Sequence, residues 1–343
     1  MSVDVVQTNA PQNGQPPALE VRDLSVSFPL PGRPFRERRR LRAVTGVNLH
    51  IDASQTVGLV GESGSGKSTT ARAVLRLVEP DTGTIVVAGR DITKLSGSEL
   101  RAARRDVQMV FQDPYSSLNP SQVVAWSVAE PLLVHERLDR ASRERAAIEL
   151  LERVGLSRSH ASRYPHEFSG GQRQRIAIAR ALALRPRLIV CDEAVSALDV
   201  STQIQIIQLL EDLQRDEGVS YLFIAHDLGI VRHICHRVAV MYLGQVVEEG
   251  PTERLFSAPQ HPYTQALLSA VPVADPRGRD DRKRIKLQGE PPDPADPPAG
   301  CPFHPRCPMA AEQCRVEVPL PRTAHGDGRV SCHLATGDRP RHG

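Results

Sequence analysis

The segment from Gly61 to Thr69 has the residue types and spacing of a loop that holds phosphate groups. Its glycines leave backbone N–H groups open to phosphate oxygens, and the helix expected to follow presents a positive N-terminus. Lys67 can reach the β- and γ-phosphates of a nucleotide, and the Ser68 hydroxyl can bind Mg²⁺. The candidate nucleotide-binding residues here are Gly61, Glu62, Ser63, Gly64, Ser65, Gly66, Lys67, Ser68 and Thr69. A flexible glycine turn is the alternative, and the full G-x-x-x-x-G-K-S spacing after an apolar run favours the phosphate loop.

Two adjacent carboxylates, Asp192 and Glu193, follow the apolar run Leu188-Ile189-Val190-Cys191. Such a run is typical of a buried strand, so both acids are expected at a strand's end. Asp192 is predicted to hold the metal ion through its water shell, and Glu193 is predicted to face the attacking water. A solvated strand end is the alternative, and the upstream phosphate loop argues against it.

A second glycine-rich helix start lies at Ser169-Gly170-Gly171-Gln172, before a strongly helical stretch from Arg173 to Leu184. Ser169 is a suitable N-cap, and the two glycines leave backbone N–H groups uncovered, which makes another anion site. A chain that binds one nucleotide does not need two such sites. The sequence therefore predicts that the second one serves the nucleotide of a neighbouring subunit.

These motifs occur in a fixed order with Gln112, with Ser196-Ala197-Leu198-Asp199 and with His226. The ordered set resembles the ATP-binding subunit of an ABC transporter. The resemblance implies that Ser169–Gln172, the signature of the family, closes on the γ-phosphate of an ATP held by a second subunit. It also implies that Asp199 crosses to that subunit.

The resemblance gives the remaining site residues their roles. Gln112 is expected to touch Mg²⁺ and the attacking water, which makes Ser68, Gln112 and Asp192 the predicted magnesium ligands. His226 is expected to contact the γ-phosphate and to support Glu193, so that Glu193, His226 and Gln112 form the catalytic set. The family usually has Leu where this chain has Phe168, and proline where it has Ala194; neither change removes a charged group.

Short apolar runs and helical periodicity place these motifs in an α/β fold. The runs that end at Gly61, Gln112, Asp192 and His226 predict a mostly parallel core sheet, and those near residues 47–51 and 83–87 predict an antiparallel portion. Arg237–Tyr242 and Gln245–Glu248 predict a hairpin that closes the fold. The implied fold is a P-loop, ABC-type nucleotide-binding domain with a helical subdomain, followed by a small Cys/Pro-rich C-terminal extension. Phe28, at the end of an alternating run from Leu19, is the candidate for stacking on adenine.

Composition divides the chain into four segments. Residues 1–18 are polar and aperiodic and are expected to be disordered, and residues 19–258 form the predicted ATPase domain. Its helical subdomain covers about 113–170, including a block of helical periodicity from Val123 to Leu156. Residues 259–336 form the extension, and 337–343 a tail. In the family, the helical subdomain receives the coupling helix of a membrane subunit.

The extension narrows the resemblance to one branch of the family. His261–Leu268, Gly289–Pro292 and Gly300–Phe303 look like the C-terminal region of F-type ATP-binding subunits from dipeptide and oligopeptide importers. The resemblance implies two transmembrane permease subunits, a second ATPase subunit of the same or another kind, and an extracytoplasmic peptide-binding protein. Relatives with the same extension move nickel, glutathione or sugars, so peptide is the family's usual solute and the others remain alternatives.

Cys301, Cys307, Cys314 and Cys332 lie within this extension. A reducing compartment disfavours disulfides, and the gaps between the cysteines are wider than the usual pairs of structural zinc sites. Four thiolates also suit an iron–sulfur cluster, which tolerates irregular spacing, and some members of the branch carry a [4Fe–4S] cluster here. The sequence favours a cluster over zinc, with unliganded thiols as the third alternative.

Charge and hydropathy limit the remaining function classes. The net charge is +3, too small to argue for nucleic acid, although arginines between Arg33 and Arg42 form a basic segment that is either a solvated loop or a contact with lipid headgroups. No apolar run is long enough to cross a membrane, and no export leader is visible, so the chain is expected at the cytoplasmic face of the membrane as a peripheral subunit. A soluble non-transport ABC ATPase, a P-loop kinase and a degenerate subunit are the rivals. The presence of a single phosphate loop argues against the soluble ABC ATPase, and the signature argues against the kinase. Glu193 and His226 are both present, which argues against the degenerate subunit.

Overall fold

The computed structural model describes residues 15–30, 40–113, 118–271, 285–324 and 327–335. These residues form a mixed sheet of eight strands and an antiparallel sheet of four strands. The strands are β1 (Leu19–Pro29), β2 (Arg40–Ile51), β3 (Thr56–Val60), β4 (Thr82–Val87), β5 (Arg90–Asp91), β6 (Val107–Val110), β7 (Leu188–Asp192), β8 (Ser220–Ile224), β9 (Arg237–Tyr242), β10 (Gln245–Pro251), β11 (Arg322–Ala324) and β12 (Gly328–Val330).

The helices cover the mixed sheet and form a bundle beside it. They are α1 (Lys67–Val74), α2 (Gly97–Ala103), α3 (Val124–His135), α4 (Arg140–Arg153), α5 (Gly170–Leu182), α6 (Val200–Glu217), α7 (Leu228–Ile234), α8 (Thr252–Ser257), α9 (Pro262–Ser269) and α10 (Glu312–Val316). The predicted helical block from Val123 to Leu156 consists of α3 and α4, and the predicted stretch after the signature is α5, which begins at Gly170.

The mixed sheet runs in the order β11, β12, β10, β9, β3, β8, β7 and β6, and the strands from β9 to β6 are parallel. Each of β3, β7 and β8 is buried along its whole length, because helices or the second sheet cover both faces. Period-two alternation divides their side chains between two cores. Leu188 and Val190 belong to the core beneath the antiparallel sheet, and Ile189 and Cys191 to the core beneath the helices.

The antiparallel sheet has the order β2, β1, β4 and β5. Its inward side chains, such as Leu19, Leu49 and Ile85, pack against β3, β7, β8 and β9 of the mixed sheet. Both predicted strands of the antiparallel portion are therefore confirmed, and so is the closing hairpin, in which β9 pairs antiparallel with β10.

The C-terminal segment adds two strands to the same mixed sheet. β12 pairs antiparallel with β10 through Glu248 opposite Val330, and β11 pairs with β12. The extension is thus continuous with the sheet that carries the site. Several sequence predictions lie wholly or partly outside the described residues. These are most of the N-terminal tail, the C-terminal tail, most of the basic segment 33–42, residues 114–117 of the helical subdomain and residues 272–284 of the extension.

Candidate functional site

The phosphate loop connects the end of β3 to the start of α1, and its glycines are required where it passes other backbone. Gly61 has φ 153°, and a Cβ built on it would lie 2.2 Å from the carbonyl oxygen of Met241. Gly66 has φ 104°, and its Cβ would lie 2.3 Å from the carbonyl oxygen of Ala43. Only glycine fits both positions, because the obstructing atoms are backbone oxygens of other segments.

Lys67 is the first residue of α1, and its side chain lies inside the curve of the loop. Its Nζ donates to the carbonyl oxygens of Gly61 at 2.9 Å and Glu62 at 2.8 Å. Burial lowers the pKa of Lys67 below its usual value, while the carboxylates of Glu193, Asp192 and Glu62 act in the opposite direction. A partly desolvated cation in a loop of backbone donors is suited to a polyphosphate.

Ser68 and Asp192 bring two oxygen ligands together at the start of α1. The Ser68 Oγ donates to Asp192 Oδ1 at 3.0 Å, across 124 positions of the chain. Burial raises the pKa of Asp192, and the bond from Ser68 opposes that shift. A hydroxyl and a carboxylate are the donors that Mg²⁺ prefers, so these residues fit the predicted ion.

Glu193 follows β7 and occupies a left-handed backbone conformation, with φ 50°. Its N–H donates to the carbonyl oxygen of Ile224, which attaches this turn to the end of the neighbouring strand β8. Gln112 Nε2 donates to Glu193 Oε2 at 2.8 Å, and His226 Nδ1 lies 3.7 Å from the same oxygen. The structure thus brings the three predicted catalytic residues together at the carboxyl ends of parallel strands.

The signature lies at the N-terminus of α5. Ser169 accepts the backbone N–H of Gln172 at 3.3 Å, and the Gln172 side chain accepts the N–H of Ser169 at 3.0 Å, which completes a capping box. The predicted N-cap is confirmed. A Cβ on Gly171 would lie 2.4 Å from Thr202 Cγ2, and one on Gly170 would lie 3.4 Å from Leu198. The signature glycines therefore allow α5 to pack closely on the start of α6.

Asp199 caps that neighbouring helix, α6. It accepts the N–H of Thr202 at 3.0 Å and the Ser201 hydroxyl at 2.5 Å. The bond from Ser201 is the main cause that lowers the pKa of Asp199 to about 2, so this residue is anionic at neutral pH. Within one chain the signature and Asp199 lie beside each other. Each caps the start of its own helix: Ser169 bonds to Gln172 of α5, and Asp199 bonds to Ser201 and Thr202 of α6.

Phe28 lies near the end of β1, opposite Leu41 of β2. Its ring is half-buried and packs against the core beneath the antiparallel sheet. The remaining exposed part of the ring is the surface that a base could contact, and adenine stacking stays a prediction.

Two site residues were missed by the sequence analysis. Tyr263 accepts the backbone N–H of Glu62 through its hydroxyl at 2.8 Å, and Arg306 donates to the Glu62 carboxylate at 2.8 Å. Tyr263 lies within His261–Leu268, a segment whose pattern indicates family membership and no contact with the phosphate loop. Nothing in the sequence around Arg306 predicts its contact with Glu62, because the two residues are 244 positions apart.

The four C-terminal cysteines occupy one region of the extension. The Cys301 N–H donates to the carbonyl oxygen of Cys314 at 2.9 Å. Burial is the main cause that raises the pKa values of Cys301, Cys307 and Cys332, and charge on other cysteines of the set adds to it. Within the residues that the structure describes, no three His, Cys, Asp or Glu side chains are arranged to hold a metal ion. The thiols are neighbours that do not form a ligand set as they stand.

Comparison with known proteins decides the family. The family described as "ABC transporter" matches residues 44–196, and the "Oligopeptide/dipeptide transporter, C-terminal region" matches residues 247–314. An oligopeptide transport ATP-binding protein of Bacillus subtilis, AppF, is 50% identical over 92% of this chain and 97% of its own length. The chain belongs to the ATP-binding proteins of ABC transporters.

Two further proteins support this membership. A probable peptide ABC transporter ATP-binding protein of Sinorhizobium fredii, y4tS, is 52% identical over 92% of this chain and 89% of its own length. Among solved structures, the ATP-binding cassette MJ0796, in a dimeric post-hydrolysis state bound to ADP and Pi, matches with a TM-score of 0.61 and 30% identity. That match covers 68% of this chain and 98% of the other.

Membership in this family confirms the predicted fold class and the activity. The chain is an ABC ATPase, and its nucleotide is ATP. None of the helices in the described ranges is both long enough and apolar enough to span a membrane.

Proposed function

We propose that this chain hydrolyses ATP at the site formed by its phosphate loop, Asp192, Glu193, Gln112 and His226, and that hydrolysis drives the import of short peptides. The observation that carries the proposal is the convergence of Gln112 and His226 on one oxygen of Glu193. The bond between Ser68 and Asp192 places the proposed metal ligands at the neighbouring strand end.

Each residue has a distinct part in the proposed reaction. Glu193 accepts a proton from the attacking water while the water oxygen bonds to the γ-phosphorus. The bond between the γ-phosphorus and the oxygen bridging to the β-phosphate breaks, which yields ADP and phosphate. Gln112 and His226 orient Glu193, and Lys67 together with the loop N–H groups holds the phosphates. Ser68 and Asp192 would hold Mg²⁺, with the Gln112 amide oxygen available as a further ligand, and the bound ion would neutralise phosphate charge.

The complete site is proposed to form between two ATPase subunits. The N-terminus of α5 carries two glycines, Gly170 and Gly171, whose backbone N–H groups no side chain of their own covers, and the chain carries one phosphate loop, so we propose that the signature closes on a partner's ATP. Asp199, at the adjacent helix start, would face the same interface. The dimeric state of the related cassette MJ0796 supports this arrangement.

Peptides are the proposed solute because the relatives from B. subtilis and S. fredii carry peptide transport in their names and share the C-terminal region of that class. The proposed assembly contains two membrane permease subunits, a second ATPase and an extracytoplasmic binding protein. This chain would lie peripherally at the cytoplasmic face. The helical subdomain supports this role, because Trp126 and Leu133 of α3 are large apolar side chains left exposed at 39% and 47%.

We further propose the division into an ATPase domain, 19–258, and an extension, 259–336, whose four thiols bind a [4Fe–4S] cluster. The closeness of the thiols supports the cluster, since they are near enough for their charges to interact, and backbone N–H groups lower the pKa values of Cys301, Cys307 and Cys332 against burial. The side chains would have to turn toward a common centre to bind it. Iron, sulfide and zinc contents of anaerobically purified protein test this proposal. A variant with these four cysteines changed to serine, retaining Cys191 and Cys235, should lose the iron; equal metal in both proteins would contradict the cluster.

Peptide uptake tests the proposed function. Cells without their chromosomal copy should regain uptake of a labelled tripeptide when supplied with the wild-type chain, and should not regain it with Lys67→Ala. Lys286→Ala, at an exposed lysine of the extension, is the matched control and should restore uptake fully. Equal peptide uptake with and without the gene, together with gene-dependent uptake of nickel, glutathione or a sugar, would reject peptides as the solute.

A further inference from the structure

Two residues of the C-terminal extension contact the phosphate loop at a single residue, Glu62. The Tyr263 hydroxyl accepts the backbone N–H of Glu62 at 2.8 Å. Arg306 binds both oxygens of the Glu62 carboxylate, Nη1 to Oε2 at 2.8 Å and Nη2 to Oε1 at 3.2 Å. A paired, two-point contact of this kind fixes orientation as well as distance.

The Arg306 end of this contact is largely closed to water, and the Glu62 side chain is 29% exposed. The Arg306 side chain is 7% exposed, and its guanidinium carbon lies 5.9 Å from the centre of the Tyr242 ring. Tyr242, Tyr263 and Phe303 are fully buried and pack on one another, with ring centres 4.7 to 5.4 Å apart. A shielded ion pair is much costlier to break from one side than an exposed pair, because the remaining charge stays unpaired.

Glu62 is also the residue on which the loop closes. Its carbonyl oxygen accepts the Lys67 ammonium at 2.8 Å and the N–H of Ser65 at 3.2 Å. Tyr263 and Arg306 of the extension therefore hold Glu62, and the Glu62 carbonyl oxygen binds the Lys67 ammonium. The carboxylate of Glu62 would repel a triphosphate in the same loop if it were not neutralised, and Arg306 supplies the neutralising charge.

We infer that Tyr263 and Arg306 are positioning residues of the ATP site: they hold Glu62 in place and neutralise it, so that the phosphate loop has its binding shape before the nucleotide arrives. The inference rests on the proposed ATP site and adds the C-terminal extension to it as a working part. Neither residue need touch the nucleotide. The extension is therefore required for ATP affinity and is more than an appendage of the ATPase domain.

A double-mutant cycle on the full chain tests this role. Affinity for a non-hydrolysable ATP analogue with Mg²⁺ is measured by titration calorimetry for wild type, Arg306→Met, Glu62→Gln and the double variant. Arg306→Met should weaken binding about tenfold, because it leaves the Glu62 carboxylate unpaired beside the triphosphate. The double variant should bind within about threefold of wild type, because no unpaired charge remains and the Tyr263 hydroxyl still holds the backbone of residue 62.

Two further variants guard against a simple loss of folding. Tyr263→Phe keeps the buried ring and removes only the hydroxyl, and it should weaken binding about threefold. Arg315→Met, at an exposed arginine of the same extension, is the matched control and should bind like wild type.

The outcomes separate the inference from the proposed function. Wild-type affinity in both Arg306→Met and Tyr263→Phe would overturn the inference. A double variant that binds as weakly as Arg306→Met would also overturn it. That result would mean that Arg306→Met damages the structure, since Glu62→Gln can restore binding only if the loss comes from the unpaired Glu62 charge. A wild-type chain that binds no analogue at all would instead overturn the proposed ATP site.

Discussion

Stability should fall with acid pH because of one buried histidine at the junction of the extension. His261 caps α9, and its Nδ1 accepts the N–H of Tyr263 at 3.1 Å. The backbone N–H of His261 donates to Glu248 Oε2 at 2.9 Å, and its ring packs on that of Phe303. Burial lowers the pKa of His261 to about 3. The folded protein therefore keeps this ring neutral, with Nδ1 free to act as the cap acceptor.

The sign and size of the effect follow from linkage. An unfolded histidine has a pKa of about 6.5, so between that value and about 3 the unfolded state binds the extra proton. The stability contributed by the neutral ring is present above pH 6.5 and is lost as pH falls. The loss is about 1.4 kcal/mol per pH unit, or about 2 kcal/mol between pH 7 and pH 5.

Urea unfolding at pH 7 and pH 5 measures this loss. His261→Asn keeps a side-chain acceptor for the cap but does not titrate, so its stability should fall by about 2 kcal/mol less than that of wild type over the same interval. His233→Asn, at an exposed histidine of α7, is the control and should follow wild type. If wild type and His261→Asn lose the same free energy of unfolding, His261 is not the titrating group and the reasoning is wrong.

Substitutions at Gly61, Ser169 and Asp192, two of them with a matched control, test the geometry of the site. Gly61→Ala should cost about 2 kcal/mol of stability or more and abolish nucleotide binding, because its Cβ would meet the Met241 carbonyl oxygen. Gly64→Ala is the control: no atom lies within 4 Å of its Cβ, so it should cost about 1 kcal/mol. Equal unfolding free energies of the two variants would contradict the close contact at Gly61. Ser169→Ala should destabilise α5 by about 1 kcal/mol and Ser169→Thr by less, measured by urea unfolding; equal losses would show that the cap bond contributes nothing. Asp192→Asn should raise the Mg²⁺ concentration needed for half-maximal ATPase activity by at least about tenfold, and an unchanged requirement would remove Asp192 from the metal site.

The parts of the molecule that sequence predicts well are those in which pattern and function are local. The phosphate loop, the cap at Ser169 and the buried run before Asp192 each combine a recognisable period with turn or capping residues, and the structure places each at the expected strand or helix end. Parallel strands align their carboxyl ends, so the meeting of Gln112, Glu193 and His226 follows from topology.

Contacts between distant segments could not be predicted in this way. The Glu62 carboxylate and Arg306 are isolated charges in the sequence, and only the packing of Tyr242, Tyr263 and Phe303 brings them together. The pairing of β12 with β10 is similar, because three-residue strands carry too little pattern to reveal a partner. The cysteines of the extension are a similar case. Their number and spacing in the sequence do not predict how the four thiols are arranged in space.

Glu193 is the proposed catalytic carboxylate of an ATPase that works within a transporter. The direct measurement is ATP hydrolysis by the purified chain, alone and assembled with its membrane and ATPase partners, for wild type and Glu193→Gln. Glu193→Gln keeps the size of the side chain and removes the base, so binding of ATP should persist while hydrolysis in the assembly falls by at least about a hundredfold. Wild-type activity should rise on assembly. Normal hydrolysis by Glu193→Gln would contradict the assigned role, and full activity of the isolated chain would contradict the shared site.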